Sequence, residues 1–453
     1  MSLSMITEIK ERFHSQDKRT SIVRKNILLS ALCKLIGMVV SFLIVPATLG
    51  YLHTEQFGVW MTISSMLMWF SFFDVGLGNG MRNYLTSAIS KGDFYLGRTY
   101  LTTTLGMLTI IALVLGGISL IITETVDSSA IFNTTKVDRL ELKGALQVAV
   151  FFTLVAFVIK NIGLVFVALQ KYALYDMLSA VGLLVSLAAI YALRFFSERS
   201  ILYVVVIFTI IPIIIYILSA IPLFIRYPML KPTLKSFNLN LSKQILWKGI
   251  GFFIIQITSC LVIFGGSNFF ITQISGPEAV TTYNIAYKYF NLLAIGYTII
   301  ISPMWNAYTD AYVKEDFPWI RKTFKRAIGL WMISVILGGL MLLLSSYFYT
   351  IWIGNNNAVP FHISALVLCF ISLFNLNNCV TYLLNGLNKI RVQIYTSVIT
   401  TIIYIIYLYL NLSSLTTETI IMSTAICYAL MSSIHLYQCS LIINKKAYGY
   451  WNK

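Results

Sequence analysis

Four charged side chains fall inside stretches that are otherwise apolar: Lys34, Asp74, Lys160 and Lys288. A charge in a hydrocarbon setting is costly, so it normally faces a bundle interior or a water-filled cavity and marks the path of an ion or substrate. Three cations against one anion is the composition expected of a cavity that accepts an anionic group, because an ammonium in a low-dielectric vestibule attracts it strongly. Helical spacing puts two of the lysines on polar stripes. Ser30, Lys34, Gly37 and Ser41 share one face, and so do Thr281, Asn284, Lys288 and Asn291; Lys160 has only Thr153 clearly on its face. The competing reading for each lysine is snorkelling, in which the stem carries the amine to the interface. Asp74 shares a face with Ser64, Ser71 and Gly78. It reads either as an ion- or proton-coupling carboxylate or gate, together with Arg82, or as a structural partner of Arg82 or Lys34 and a cap of the glycine-rich turn at 76–80.

The elements that must hold these residues are membrane helices. The chain of 453 residues is 58% hydrophobic and 11% charged, with a mean hydropathy of +0.80; no soluble domain hides that much apolar surface. Runs of about 20 apolar residues, enough to cross a ~30 Å hydrocarbon core, can be placed twelve times: 26–48, 56–80, 99–123, 144–168, 175–196, 200–225, 249–272, 279–304, 325–352, 359–386, 391–411 and 418–442. The expected fold class is all-α and polytopic, with two parallel-repeat six-helix bundles around a central cavity. The expected domains are a cytoplasmic tail at 1–25, a first bundle at 26–226, a cytoplasmic linker at 227–248, a second bundle at 249–443 and a cytoplasmic tail at 444–453. With both termini inside, 25 of the 33 Lys and Arg lie on the cytoplasmic side, five lie outside and three fall within spans, the asymmetry that the positive-inside rule requires. The net charge of +16 is therefore spread between spans, not gathered on one face, and no nucleic-acid partner is expected. The first 25 residues read as a charged tail, not a signal peptide.

The two halves echo each other at a fixed offset of 223. Asn83, Thr86, Ala88, Lys91, Asp93, Phe94 and Arg98 reappear as Asn306, Thr309, Ala311, Lys314, Asp316, Phe317 and Arg321, several times the identity that chance gives. Six spans per half make the repeats parallel, the arrangement of carriers whose halves rock about a site between them. The repeated segments are expected to cap and pair helix ends on the cytoplasmic side, with a gate between the halves as the competing reading.

One stretch carries a family likeness. Gly50-Tyr51-Leu52, Glu55, Phe57-Gly58-Val59-Trp60, Asp74, Gly76-Leu77-Gly78-Asn79 and Arg82-Asn83 resemble the N-terminal signature of the Wzx-type O-antigen and capsule flippases, in the polysaccharide-exporter branch of the multidrug/oligosaccharidyl-lipid/polysaccharide superfamily. Pro303-Met304-Trp305 and Tyr308-Thr309-Asp310-Ala311 are similar to the same family. The resemblance implies an inner-membrane flippase that moves an undecaprenyl-diphosphate-linked oligosaccharide unit from the cytoplasmic to the periplasmic leaflet, driven by an ion gradient, with a polysaccharide polymerase as a partner. Lys34, Lys288 and Lys160 would then hold the diphosphate. Asn375, Asn378 and Asn385, which with Thr381 fall at helical spacing beside Asn377, would join Asn284 and Asn291 in a glycan-facing wall, since amides hydrogen-bond sugar hydroxyls. Interhelical bonding is the equal alternative for the asparagines.

Other classes fit less well. Excess cations would repel an organic cation, which disfavours a drug/cation antiporter; a major-facilitator porter is the other twelve-span alternative. A membrane glycan polymerase needs a sizeable outer loop, whereas 124–143 is short, so no enzyme and no catalytic residue is expected. There is no GxxxxGK[ST] loop for ATP. The six cysteines lack CxxC spacing, and His14, His53, His362 and His435 do not cluster with other ligands, so neither a metal nor a cofactor is expected.

Overall fold

The computed structural model describes residues 29–452 except 75–76, 136, 170, 242–253, 256, 259–264 and 355–357. The N-terminal tail and half of the seventh span lie outside the described residues. The described ones are helical almost throughout: α1 Leu29–Tyr51, then α2 Thr54–Phe70, α3 Leu77–Ser90, α4 Phe94–Thr125, α5 Ser128–Phe132, α6 Arg139–Ala168, α7 Tyr172–Phe196 and α8 Ile201–Arg226. These are followed by α9 Ser267–Ser275, α10 Pro277–Ile301, α11 Met304–Val313, α12 Phe317–Ile353, α13 Phe361–Gly386, α14 Arg391–Leu410 and α15 Thr417–Ile443. Nine of the described helices are long and apolar enough to span a membrane. In such a setting the backbone must satisfy its own hydrogen bonds, which only helices and closed barrels achieve. The 25-residue α10 stands at another expected span but is too polar to count among the nine.

Glycine leaves the backbone free, so the glycine cluster predicts a turn or helix end at 76–80. Span 2 is divided into α2 and α3 by a 3-10 turn at Ser71–Asp74. Residues 75–76, with the first glycine of the cluster, lie outside the described residues, and Gly78 and Gly80 sit inside α3, which begins at Leu77.

The two repeated loops fold alike. Gly92 and Glu315, equivalent positions of the repeat, both take the left-handed conformation, with φ of 76° and 56°. The following amides close the same C-terminal cap, from Asp93 to the Ala88 carbonyl at 3.0 Å and from Asp316 to the Ala311 carbonyl at 2.9 Å. Each aspartate then caps the next helix: Asp93 accepts from the Leu96 amide at 2.9 Å and Asp316 from the Trp319 amide at 3.0 Å. The helices so started, α4 and α12, are alike in exposure, with only 11% of the most apolar window of each buried in the protein. At 37 residues, α12 is about 55 Å long, so it overshoots the hydrocarbon core.

Contacts sort the chain into two compact units. One contains 1–51, 76–120 and 148–247; the other contains 52–75, 121–147 and 248–453. Within the second unit, α2 lies against α9 and α10 at very short range. A Cβ on Gly58 would stand 1.8 Å from the Pro277 carbonyl oxygen, so only glycine permits this approach. Around it the Thr62 and Thr272 hydroxyls bond at 2.6 Å. Thr281 donates to the Thr54 carbonyl at 2.6 Å and Asn268 to the Met61 carbonyl at 3.3 Å. Asn133 in the loop after α5 adds bonds to the carbonyls of Thr272 and Gln273, and Thr134 bonds Glu55.

Candidate functional site: charged and amide residues inside the bundles

The first unit gathers its polar side chains from α1, α3, α6, α7 and α8. On α1 the Ser30 hydroxyl donates to Asp176 Oδ2 of α7, and Lys34 Nζ lies 3.7 Å from the same oxygen. The Lys34 side chain is 63% exposed and Asp176 only 16%. So long and open an ion pair contributes little by itself, and leaves the ammonium available to another anion. Beside Asp176, Tyr175 shares a hydrogen bond with Tyr216 of α8 and lies within electrostatic reach of Arg82. Gly163 of α6 makes room for this pair, since a Cβ there would meet Tyr216 at 2.7 Å and Tyr175 at 3.1 Å. Lys160, half-buried on α6, lays its amine 5.6 Å from the Phe157 ring centre, an attractive cation–π distance. Asp176 also falls inside the expected span 175–196, a carboxylate that the sequence reading did not count, and only the packing shows that its partners are Ser30 and Lys34 of another helix.

The second unit holds the remaining candidates. On α10 the polar stripe divides. Thr281 and Asn284 are buried in the contact with α2 and α9, where Asn284 donates to Asn268 Oδ1 and to the Val280 carbonyl, both at 2.9 Å. Lys288 and Asn291, one and two turns on, are half-buried. Lys288 makes no hydrogen bond or ion pair among the described residues, so its charge is uncompensated there. Tyr283 and Tyr287 stack at 5.9 Å on the same helix. Asp74 is half-buried at the end of its 3-10 turn.

The asparagines of α13 do not act alike. Asn375 is 1% exposed and its Oδ1 has no hydrogen-bond partner among the described residues. Asn378 is half-buried, and Asn385 Oδ1 is also enclosed without a partner among them. Asn377 Oδ1 stands 3.2 Å from His435 Nδ1, whose Nε2 meets Thr396 Oγ1 at 2.9 Å. This three-helix junction, absent from the sequence-based site, is the interhelical bonding that buried polar groups need. Its partners are an amide and a hydroxyl, and no group of three or more His, Cys, Asp or Glu stands together among the described residues.

No family model matches the chain. A curated relative from Salmonella typhi, designated an O-antigen transporter, is 21% identical over 351 residues, covering 76% of this chain and 78% of the relative. Among solved structures, the inward-facing conformation of a multidrug resistance MATE family transporter of the MOP superfamily matches with a TM-score of 0.70 at 14% identity, over 92% of this chain and 95% of that one. An outward-facing conformation of such a transporter matches with a TM-score of 0.60 at 15% identity, over 94% and 96%. The chain is a multi-pass membrane protein with the fold of the MATE transporters of the MOP superfamily.

Proposed function

We propose that this protein is a flippase for a lipid-linked oligosaccharide. It carries an undecaprenyl-diphosphate-linked repeat unit from the cytoplasmic to the outer leaflet of a bacterial inner membrane by alternating access, driven by an ion gradient. The observation that carries the reading is Lys288, a half-buried ammonium on α10 with no compensating anion among the described residues. A diphosphate headgroup supplies that anion. Lys34 and Lys160 offer cations to the same chemistry in the first unit, and Arg82 and Asp74 are the coupling or gating residues. The half-buried Asn291 and Asn378 are better placed for a sugar than Asn284 and Asn375, whose burial ties them to helix contacts in this state; Asn385 stands between. The name of the Salmonella relative supports the substrate class, and a polymerase acting on the delivered unit is the partner that such a product needs. Both termini are cytoplasmic in this reading.

The likeness to multidrug transporters favours a second reading, export of organic cations. An uncompensated ammonium works against it, because it repels such a substrate at the point where binding must occur. The test is deletion of the gene in its host. Loss of surface polysaccharide with repeat units stranded on the cytoplasmic face is expected; normal polysaccharide, with no redundant flippase, would sink the proposal.

The α2–α10 contact is, in the same reading, the outer gate in its closed state. It joins an N-terminal helix to a C-terminal one at the ends that the positive-inside count places away from the cytoplasm.

A further inference from the structure

We propose that the cytoplasmic end of α12 is a binding site for an anionic phospholipid, with the phosphate in a basic cleft and an acyl chain along the helix past Gly329. The cleft has a volume of about 610 Å³ and is lined by Phe317, Arg321, Lys322, Lys325, Asn444 and Lys445, with Glu315 its one carboxylate. Two of the cations are held in place. Arg321 Nη2 donates to Asn444 Oδ1 at 2.7 Å, and Lys445, in the left-handed conformation at φ 56°, rests its amine 4.5 Å from the Phe317 ring centre. Lys322 and Lys325 are exposed and make no hydrogen bond or ion pair among the described residues. Four cations against one anion, at a helix end where the lipid headgroups lie, is a phosphate site by charge complementarity.

The internal duplication shows what this surface lacks. Lys322, Lys325, Arg326 and Gly329 are the repeat equivalents of Thr99, Thr102, Thr103 and Gly106 on α4. In the first half that face is roofed by the chain itself. The Thr233 amide donates to Thr102 and the Asn238 amide to Thr103, and Arg98 donates to the Met229 carbonyl at 2.8 Å. Phe237 fills the notch at Gly106, where a Cβ would meet its ring at 2.7 Å. Thr99, Thr102 and Thr103 are all buried as a result. At α12, Arg321 is tied down in the manner of Arg98, yet a Cβ on Gly329 would meet nothing within 4 Å among the described residues. Two lysines and an arginine replace the buried threonines, and the notch is open. A phospholipid fits both changes: its phosphate takes the cations and its chain takes the place that Phe237 holds on α4.

The purified full-length protein in detergent, titrated with phosphatidylglycerol or phosphatidylcholine and read by native mass spectrometry, tests this. Saturable binding of phosphatidylglycerol over phosphatidylcholine is expected. The double variant Lys322→Gln/Lys325→Gln should weaken it roughly 30-fold, at about a fivefold loss per lysine, while Lys91→Gln in the first loop leaves it unchanged. Gly329→Phe, which supplies the ring found at Gly106, should displace the diacyl lipid and spare a short-chain glycerophosphate. Equal binding of the two lipids, or an unchanged affinity in the double variant, overturns the proposal. So does preferential capture of a polyprenyl diphosphate by these lysines, which would make the cleft a substrate dock.

Discussion

The strongest constraint in this structure is the glycine at position 58, and replacing it by alanine is a demanding test. One methyl group would stand 1.8 Å from the Pro277 oxygen, 2.5 Å from its carbonyl carbon and 3.0 Å from its Cα. Contacts under 3.0 Å are essentially never seen for a real Cβ, so α2 and α10 must part until the gap to that oxygen opens from 1.8 Å to at least 3.0 Å. The obstacle is backbone and cannot rotate aside. Overpacking of this kind costs about 1–3 kcal/mol. Three bonds cross the contact, Thr62 to Thr272, Thr281 to Thr54 and Asn268 to Met61, each worth ~0.6 kcal/mol between membrane helices. A combined loss of about 3 kcal/mol lowers the ratio of latched to unlatched protein roughly 140-fold. The assay is oxidative cross-linking of Thr62→Cys with Thr272→Cys in a background lacking the six native cysteines. The parent hydroxyls are 2.6 Å apart, so the two sulfurs lie within disulfide reach. Cross-linking should be rapid with Gly58 and at least about tenfold slower with Gly58→Ala, while a Ser30→Cys/Asp176→Cys pair in the other unit cross-links at the same rate in both. An unchanged Thr62–Thr272 rate in Gly58→Ala would refute the latch.

Three further outcomes are expected. Lys34→Gln with Lys288→Gln should abolish complementation of a deletion strain at unchanged protein level; full complementation would return both lysines to the snorkelling reading. His435→Ala leaves Asn377 and Thr396 buried without their shared partner and should lower stability by about 1–3 kcal/mol, read as a drop in Tm in detergent, with His435→Gln milder; equal Tm values would show that the junction is not holding α13, α14 and α15. Asp93→Ala and Asp316→Ala remove equivalent caps and should each cost about 0.5–2 kcal/mol. A large loss in one and none in the other, by the same thermal measurement, would contradict their equivalence.

The duplicated loops were the most legible part of the sequence. Asp93 and Asp316, read as helix caps, are caps, because capping is set within a few residues of chain. The same locality explains why the helices could be placed from apolar runs while their breaks could not. The turn at Ser71–Asp74 has no glycine or proline to announce it, and Gly78 and Gly80 after it sit inside the next helix.

Sequence alone determined that the chain lives in a membrane, that it is helical and that its halves echo one another, since hydropathy, backbone satisfaction in lipid and a fixed repeat are properties read along one dimension. It also found Lys34, Lys160 and Lys288, because a charge stands out against apolar neighbours. Only the tertiary structure decided what each polar side chain meets. Asp176 turned toward Ser30 and Lys34, which belong to a helix far earlier in the chain; Asn284 was drawn into a helix contact while Lys288, one turn on, was left without an anion among the described residues. His435 gained its partners from two other helices. A periodic stripe names a face of a helix, but what covers that face depends on the packing of segments far apart in the chain, and Gly58 against Pro277 is where that packing leaves no room for any other residue.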